Sequence, residues 1–158
     1  MSTFDYRPLL EAVVVKVKSL SGIQTGTTWA RQVDIFTDLD LQGIDTAICP
    51  LVGVSDGGVD AAQTSLCLDT YYAEVLVALY ADTASKQTEQ SLRDLLDKAD
   101  IVRRGLIGQT LALAGVLDCR FVGQDKSVWV PRGFDEQGRP ILPVTKVTVK
   151  VRYEIQET

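Results

Sequence analysis

The chain has 158 residues, of which 46% are apolar and 23% charged. That length and composition fit one globular core and exclude the low-hydrophobicity, high-charge signature of a disordered chain. The net charge of −5 and the pI near 4.7 disfavour a general nucleic-acid-binding surface, which needs clustered Lys and Arg to neutralise phosphates, so no sequence-specific nucleic acid is expected as a partner.

The apolar-leaning stretch Leu9 to Val17 is interrupted by Glu11 and Lys16. It is far shorter than a bilayer span, and neither a basic region before it nor a small-residue cleavage site after it marks a signal peptide. No membrane partner is expected, and the chain is expected to be made in a cytoplasm and to stay there unless carried out. Cys49, Cys67 and Cys119 are odd in number and widely spaced, giving neither a disulfide framework nor a CxxC pair; buried, reduced thiols are the expectation.

Leu9, Leu10, Val13, Val14 and Val17 recur at helical spacing after Asp5, with Pro8 in the first turn where its missing N–H costs nothing. An opening amphipathic helix follows, although the triplet Val13–Val15 keeps a strand as the competing reading. Ser19 to Thr28 reads as a loop. Trp29 to Phe36 supplies a short strand with Val33 and Ile35 on one face, and Ala47 to Val54 a second strand broken by Pro50, hence at an edge or bulged. Asp56–Gly57–Gly58 signals a tight turn or the start of a longer mobile loop.

Within Ser65 to Tyr80 both alternating sets are largely apolar, which predicts a central strand covered on two sides, by helices or by another subunit. Leu92, Leu95, Leu96, Ala99, Val102 and Leu106 form a helical stripe. Its polar face pairs Glu89 with Arg93, Asp94 with Lys98 and Asp100 with Arg104 at i,i+4. The glycines at 105, 108 and 115 end or kink that helix near Gly108, and Val116 to Val122 forms a further strand. Gly123 to Pro140, dense in Gly, Pro and charge around Trp129 and Phe134, reads as a long hairpin-like loop. Over Val144–Ile155, Val147, Val149, Val151, Tyr153 and Ile155 alternate strictly with Lys146, Thr148, Lys150, Arg152 and Glu154, a strand with one buried and one polar face.

Together these predict a single α+β domain over residues 1–158. It has a mixed, mainly antiparallel sheet, two main helices packed on it, and long Gly-rich loops at Ser55–Thr64 and Gly123–Pro140.

Chemistry is sparse. The chain has no His, which removes the commonest general base, the commonest transition-metal ligand and every Ser/His or Cys/His pair. The glycine stretches Gly22–Gly26 and Gly53–Gly58 match neither phosphate-binding fingerprint. Asp38, Asp40, Gln42 and Gly43 resemble the start of a calcium loop, but its twelfth position is Cys49 where a bidentate Glu is needed. Asp118 with Asp125 is a carboxylate pair that spacing alone does not distinguish from surface acids. No enzyme, cofactor or metal is expected. The local basic clusters are Arg103 and Arg104 with Lys98, expected on the ion-paired helix face, and Lys146, Lys150 and Arg152 along the closing strand. With Asp56, Trp129, Arg132 and Phe134, these bases are the candidate contact residues; either cluster could meet an acidic neighbour.

The order of elements carries a resemblance: an opening helix, IDTAICPLVGVSDGG, YYAEVLVALYAD, SLRDLLDKADIVRRGL, GVLDCRFVGQD, a long loop and TKVTVKVRYEI. From about Leu9 to Glu154 this layout resembles the tail terminator and related neck or minor tail proteins of long-tailed bacteriophages. The resemblance implies a non-enzymatic virion protein of the tail or neck, assembled in the bacterial host cytoplasm. It would form a ring, usually a hexamer, on the last ring of the tail tube protein, stop tube growth and offer a surface to the head connector protein. The rival expectations are a head-to-tail connector or minor capsid protein, and a small-ligand-binding or enzymatic α+β domain with its pocket under Gly123–Pro140 and Trp129 as a wall.

Overall fold

The computed structural model describes residues 5–23, 29–30, 32–38, 40, 50–64, 69–82, 88–131, 133–141 and 144–157. The long closing strand, β8 (Val144–Glu157), lies inside the sheet. One side of it pairs antiparallel with β3 (Asp69–Asp82) from end to end; the other pairs with β4 (Val116–Gln124) and then β5 (Val128–Val130). β3 in turn pairs antiparallel with β2 (Leu51–Thr64), and β1 (Gln32–Ile35) joins β2 in parallel. The sheet is therefore mixed and mainly antiparallel, in the order β1-β2-β3-β8-β4, with β5 extending the β4 edge. A two-stranded hairpin, β6 (Gly133–Phe134) with β7 (Pro140–Ile141), stands apart from it.

Two helices, α1 (Arg7–Ser19) and α2 (Thr88–Leu106), cover one face of the sheet. α1 buries Leu9, Leu10, Val13, Val14 and Val17, and α2 buries Leu95, Ala99, Val102 and Leu106. Against them lie Val52 and Val54, the odd-numbered residues Ala73 to Ala81 of β3, and Val147 to Ile155 of β8. Each fully buried Val or Leu contributes about 1.5–3 kcal/mol relative to exposure. The Val13–Val15 triplet stays helical because Val13 and Val14 are inside this core while Val15 is exposed; burial offsets the few tenths of a kcal/mol that β-branching costs a helix. Leu96 departs from the predicted stripe. It is 44% exposed, because the buried line 95–99–102–106 turns it away from the sheet by one helical step.

The other face of β3 is not covered by helices among the described residues. It is closed only at one end, by a small cluster of Phe36, Leu51, Ala78, Tyr80, Val130 and Val144. The sequence reading of a strand covered on both sides thus holds fully for the odd-numbered residues and only at this end for the even-numbered ones.

The glycine-rich stretches are more ordered than expected. Ser55–Thr64, expected as a loop with a turn at Asp56–Gly57–Gly58, continues β2, with register irregularities between Asp56 and Gly58 and between Ala61 and Gln63. The bulge needs its glycines. Gly58 has φ of +112°, and a Cβ on Gly57 would sit 2.8 Å from Glu74 Cγ. Pro50, expected within a strand, precedes the first residue of β2, where its missing N–H costs no ladder bond; residues 47–49 lie outside the described set. Gly123–Pro140 is likewise no single loop: it holds the end of β4, all of β5 and most of the β6–β7 hairpin, because the start of β8 offers its free edge to β5. In β1, Val33 is 2% exposed and Ile35 41%, so the shared burial predicted for them stops at Val33.

Candidate functional site

The closing strand's even-numbered residues lie on the helix-free face, as its alternation requires. There Lys146, Lys150 and Arg152 meet residues from four other segments. Lys146 Nζ contacts the Asp38 carboxylate at 2.9 Å, and the Tyr80 hydroxyl donates to the same carboxylate at 2.5 Å. Lys146 also lies over the Tyr80 ring, 5.8 Å from its centroid, and that ring stacks on Phe36. Burial, and next the Asp38 hydrogen bond, raise the Tyr80 pKa far above the ordinary phenol value. Asp38 thus ties the segment after β1 to β3 and β8, while Asp40 caps Thr37 through its backbone N–H at 2.9 Å. Of the carboxylates named in the partial calcium motif, Asp38 is engaged by Tyr80 and Lys146 and Asp40 by the nearby Thr37, and no grouping suited to a metal occurs among the described residues.

Farther along β8, Lys150 pairs with Asp125 at 3.1 Å. The Arg152 guanidinium lies 4.8 Å from the centroid of Tyr72 on β3, and Arg120 on β4 pairs with Asp118 at 3.2 Å. Asp118 and Asp125, the carboxylate pair of the sequence, are each matched to a base. The result is a ladder of alternating charge on an aromatic and aliphatic floor. A shallow depression of about 340 Å³ opens where Leu76, Ala78, Tyr80, Lys146 and Thr148 meet Asp38 and Asp125. A smaller notch of about 60 Å³ is lined by Tyr72, Asp118, Arg120, Arg152 and Glu154. Exposed mixed charges of this kind add little stability one by one but give a surface electrostatic register.

The remaining predicted residues fall elsewhere. Arg103 and Arg104 both engage Asp100, Arg104 at 2.8 Å, and Arg103 also reaches over the Phe121 ring on β4 at 5.7 Å. They belong to the ion-paired face of α2, and the structure does not join them to the β8 cluster. Asp56 is the exception: exposed at the β2 bulge, it lines the same depression as Lys146, Asp38 and Tyr80. Nearby, the Tyr6 hydroxyl donates to the carbonyl oxygens of Gly58 and Glu74; burial first, then the Asp56 charge, raises the Tyr6 pKa to about 12. Trp129 is 70% exposed on β5 at the sheet margin, and lines neither of the two depressions described above. Phe134 is exposed on the β6–β7 hairpin. Arg132 lies outside the described residues, as do Cys49 and Cys67. Cys119 is free and buried under α2, and burial raises its thiol pKa to about 11.

Sequence reasoning missed Asp38, Tyr80, Tyr72 and Arg120 as members of this face. The parity of Tyr72 and Tyr80 in β3 matches that of Lys146 to Glu154 in β8 once the two strands are paired in register, but no single strand's pattern reveals the pairing.

The described helices and sheet define an α+β protein whose charged sheet face carries no helix among the described residues. No family model matches the sequence, and no curated protein does either. The fold is similar to that of a chain in the virion of a native gene transfer agent particle, with a TM-score of 0.59 at 15% identity over 98% of this chain and 100% of that chain.

Proposed function

We propose that this chain is a structural, non-enzymatic protein of a phage-like virion, located at the tail or neck. In this reading it caps the end of a tail tube as a ring of identical subunits, most simply six, stops tube growth and presents a surface to the head connector. The observation that carries the proposal is the fold likeness to a virion chain along nearly the full length of both chains. The helix-free face supports it: a broad, shallow, charge-patterned sheet surface suits a protein partner better than a small molecule, which prefers a deep apolar pocket. That face meets the tube ring or the connector, with the Lys150 and Arg152 end as its exposed part.

The test is assembly. Purified protein at micromolar concentration, examined by negative-stain microscopy and mass measurement, should give closed rings and should decorate the ends of tubes built from the cognate tube protein. Particles that stay monomeric and never bind tube ends would sink the proposal. Pull-down by the portal in place of the tube subunit would move the protein to the connector side of the joint.

A further inference from the structure

Strand register explains where the larger depression on the helix-free face lies. Across β2, β3 and β8 the small residues Gly53, Ala78 and Thr148 stand side by side, and the Asp125 backbone N–H donates to the Thr148 carbonyl at 3.0 Å, which extends the row to the segment after β4. The row on one side of it is Leu51, Tyr80 and Lys146; on the other it is Ser55, Leu76 and Lys150. Small residues between two rows of larger ones leave a trench that crosses the strands, and it coincides with the depression of about 340 Å³. Phe36 closes the Gly53 end, where a Cβ would lie 2.9 Å from its ring. The trench is therefore open from Ala78 to Asp125.

Its floor is aliphatic, from Leu76 and Ala78, and most of its charges are already matched. Asp38 holds Lys146 and Tyr80, and Asp125 meets Lys150 through one oxygen while its side chain stays 55% exposed. Two groups are not engaged. The Asp56 carboxylate makes no hydrogen bond or ion pair among the described residues, and neither does the hydroxyl of Thr148, a residue only 5% exposed. Hydroxyls so deeply placed are normally satisfied. One left open at the bottom of a depression, below an unmatched carboxylate, points to a donor that arrives from outside. The complement is a long side chain with an aliphatic stem and a cationic tip. An ammonium suits it better than a guanidinium, because the open acceptors are single oxygens on different strands and do not form the planar fork that Arg matches.

We infer that this trench receives a lysine side chain of the protein partner that meets the helix-free face. The lysine methylenes lie on Leu76 and Ala78, and its ammonium donates to the Thr148 hydroxyl within the field of Asp56 and Asp125. The inference rests on the reading of that face as a partner-binding surface and names the partner's chemistry: a basic segment, which a chain of net charge −5 also attracts over distance.

The first measurement needs only the full chain in solution. Followed by amide-resolved NMR, the peptide acetyl-Gly-Lys-Gly-amide should shift the amide signals of Ala78, Thr148 and Asp125 with a Kd of about 1–10 mM, and the same peptide acetylated on the lysine Nε should not. Thr148→Val, which keeps the side chain's shape, and Asp56→Asn should each weaken binding by about threefold or more. Asp56→Lys should abolish it, with circular dichroism unchanged because that side chain is exposed. Equal shifts with the acetylated peptide, shifts that avoid the trench, or unchanged affinity in both Thr148→Val and Asp56→Asn overturn the inference. The second measurement is partner binding: Asp56→Lys and Thr148→Val should each reduce decoration of tube ends or pull-down by the portal. Binding unchanged in both overturns the trench as the partner's seat and leaves the virion reading standing. Lysine binding by a chain that recognises neither tube nor portal keeps the trench and sinks the virion reading. If Asp56→Lys abolishes self-association and spares tube and portal binding, the lysine belongs to a second copy, and the assignment to a different protein is overturned.

Discussion

Two buried tyrosines have opposite hydrogen-bond fates. The Tyr80 hydroxyl donates to Asp38, which also holds Lys146. Tyr80→Phe keeps the stack on Phe36 but loses a bond to a charged acceptor, which costs about 2 kcal/mol; the melting temperature should fall by about 4–8 °C. The Tyr153 hydroxyl is buried, and among the described residues its one polar neighbour is the weakly hydrogen-bonding Cys119 thiol. Tyr153→Phe removes a poorly satisfied group and should leave the melting temperature unchanged or raise it. A large fall would show that the hydroxyl has a partner in solution.

Titration belongs to the same scale. Burial raises the pKa of Tyr6 to about 12, that of Cys119 to about 11, and those of Tyr80 and Tyr153 higher still. In each case the folded state favours the protonated, neutral form. The stabilisation is complete below the ordinary values near pH 9–10 and is lost as pH rises through the folded values. Denaturant midpoints should therefore fall steeply above about pH 10, and the native thiol at Cys119 should resist a chromogenic disulfide reagent at pH 8 until the protein is unfolded.

At the scale of elements, the turn from α2 into β4 holds four residues of positive φ, Gly108, Leu111, Ala112 and Gly115, and Gly115 is the one most closely approached by backbone. Gly115 has φ of +90°, its carbonyl accepts from Gln156 N–H at 2.8 Å, and a Cβ there would lie 2.6 Å from the Gln156 carbonyl oxygen. Neither that φ nor that approach suits an L side chain. Gly115→Ala should cost about 2–3 kcal/mol and loosen the β4–β8 pairing, read as faster amide exchange at Cys119 and Tyr153. Gly105→Ala is a useful contrast. Its nearest neighbours are the tips of the Leu20 side chain, which can rotate, so its cost should be smaller.

For the molecule as a whole, the proposed role of the helix-free face is tested by mutation. Lys150→Glu with Arg152→Glu leaves the fold intact, because one side chain is half-buried in a single ion pair and the other is exposed. It should abolish decoration of tube ends while rings still form. Normal decoration with both reversed would reduce that face to solvated charge.

The α+β class, both helices and the long closing strand were legible because each has its own periodicity: five apolar residues on one side of α1, and strict alternation along β8. Those patterns reflect which side of an element is dry, a property recorded locally in the chain. Lys146, Lys150 and Arg152 could be placed on one face for the same reason. The strand nature of Ser55–Thr64 and of Val128–Val130 was not legible, since glycines and charges read as loop until β3 and β8 supply the backbone partners. Nor was the joining of Asp38 to Tyr80 and Lys146 over sequence separations of 42 and 108 residues. The sequence by itself determined most of the residues that face the core, Leu96 and Ile35 being exceptions, because burial is written in spacing. Only the tertiary structure decided which charges meet and which edge stays open, because both depend on strand order and register, set by contacts between segments distant in the chain.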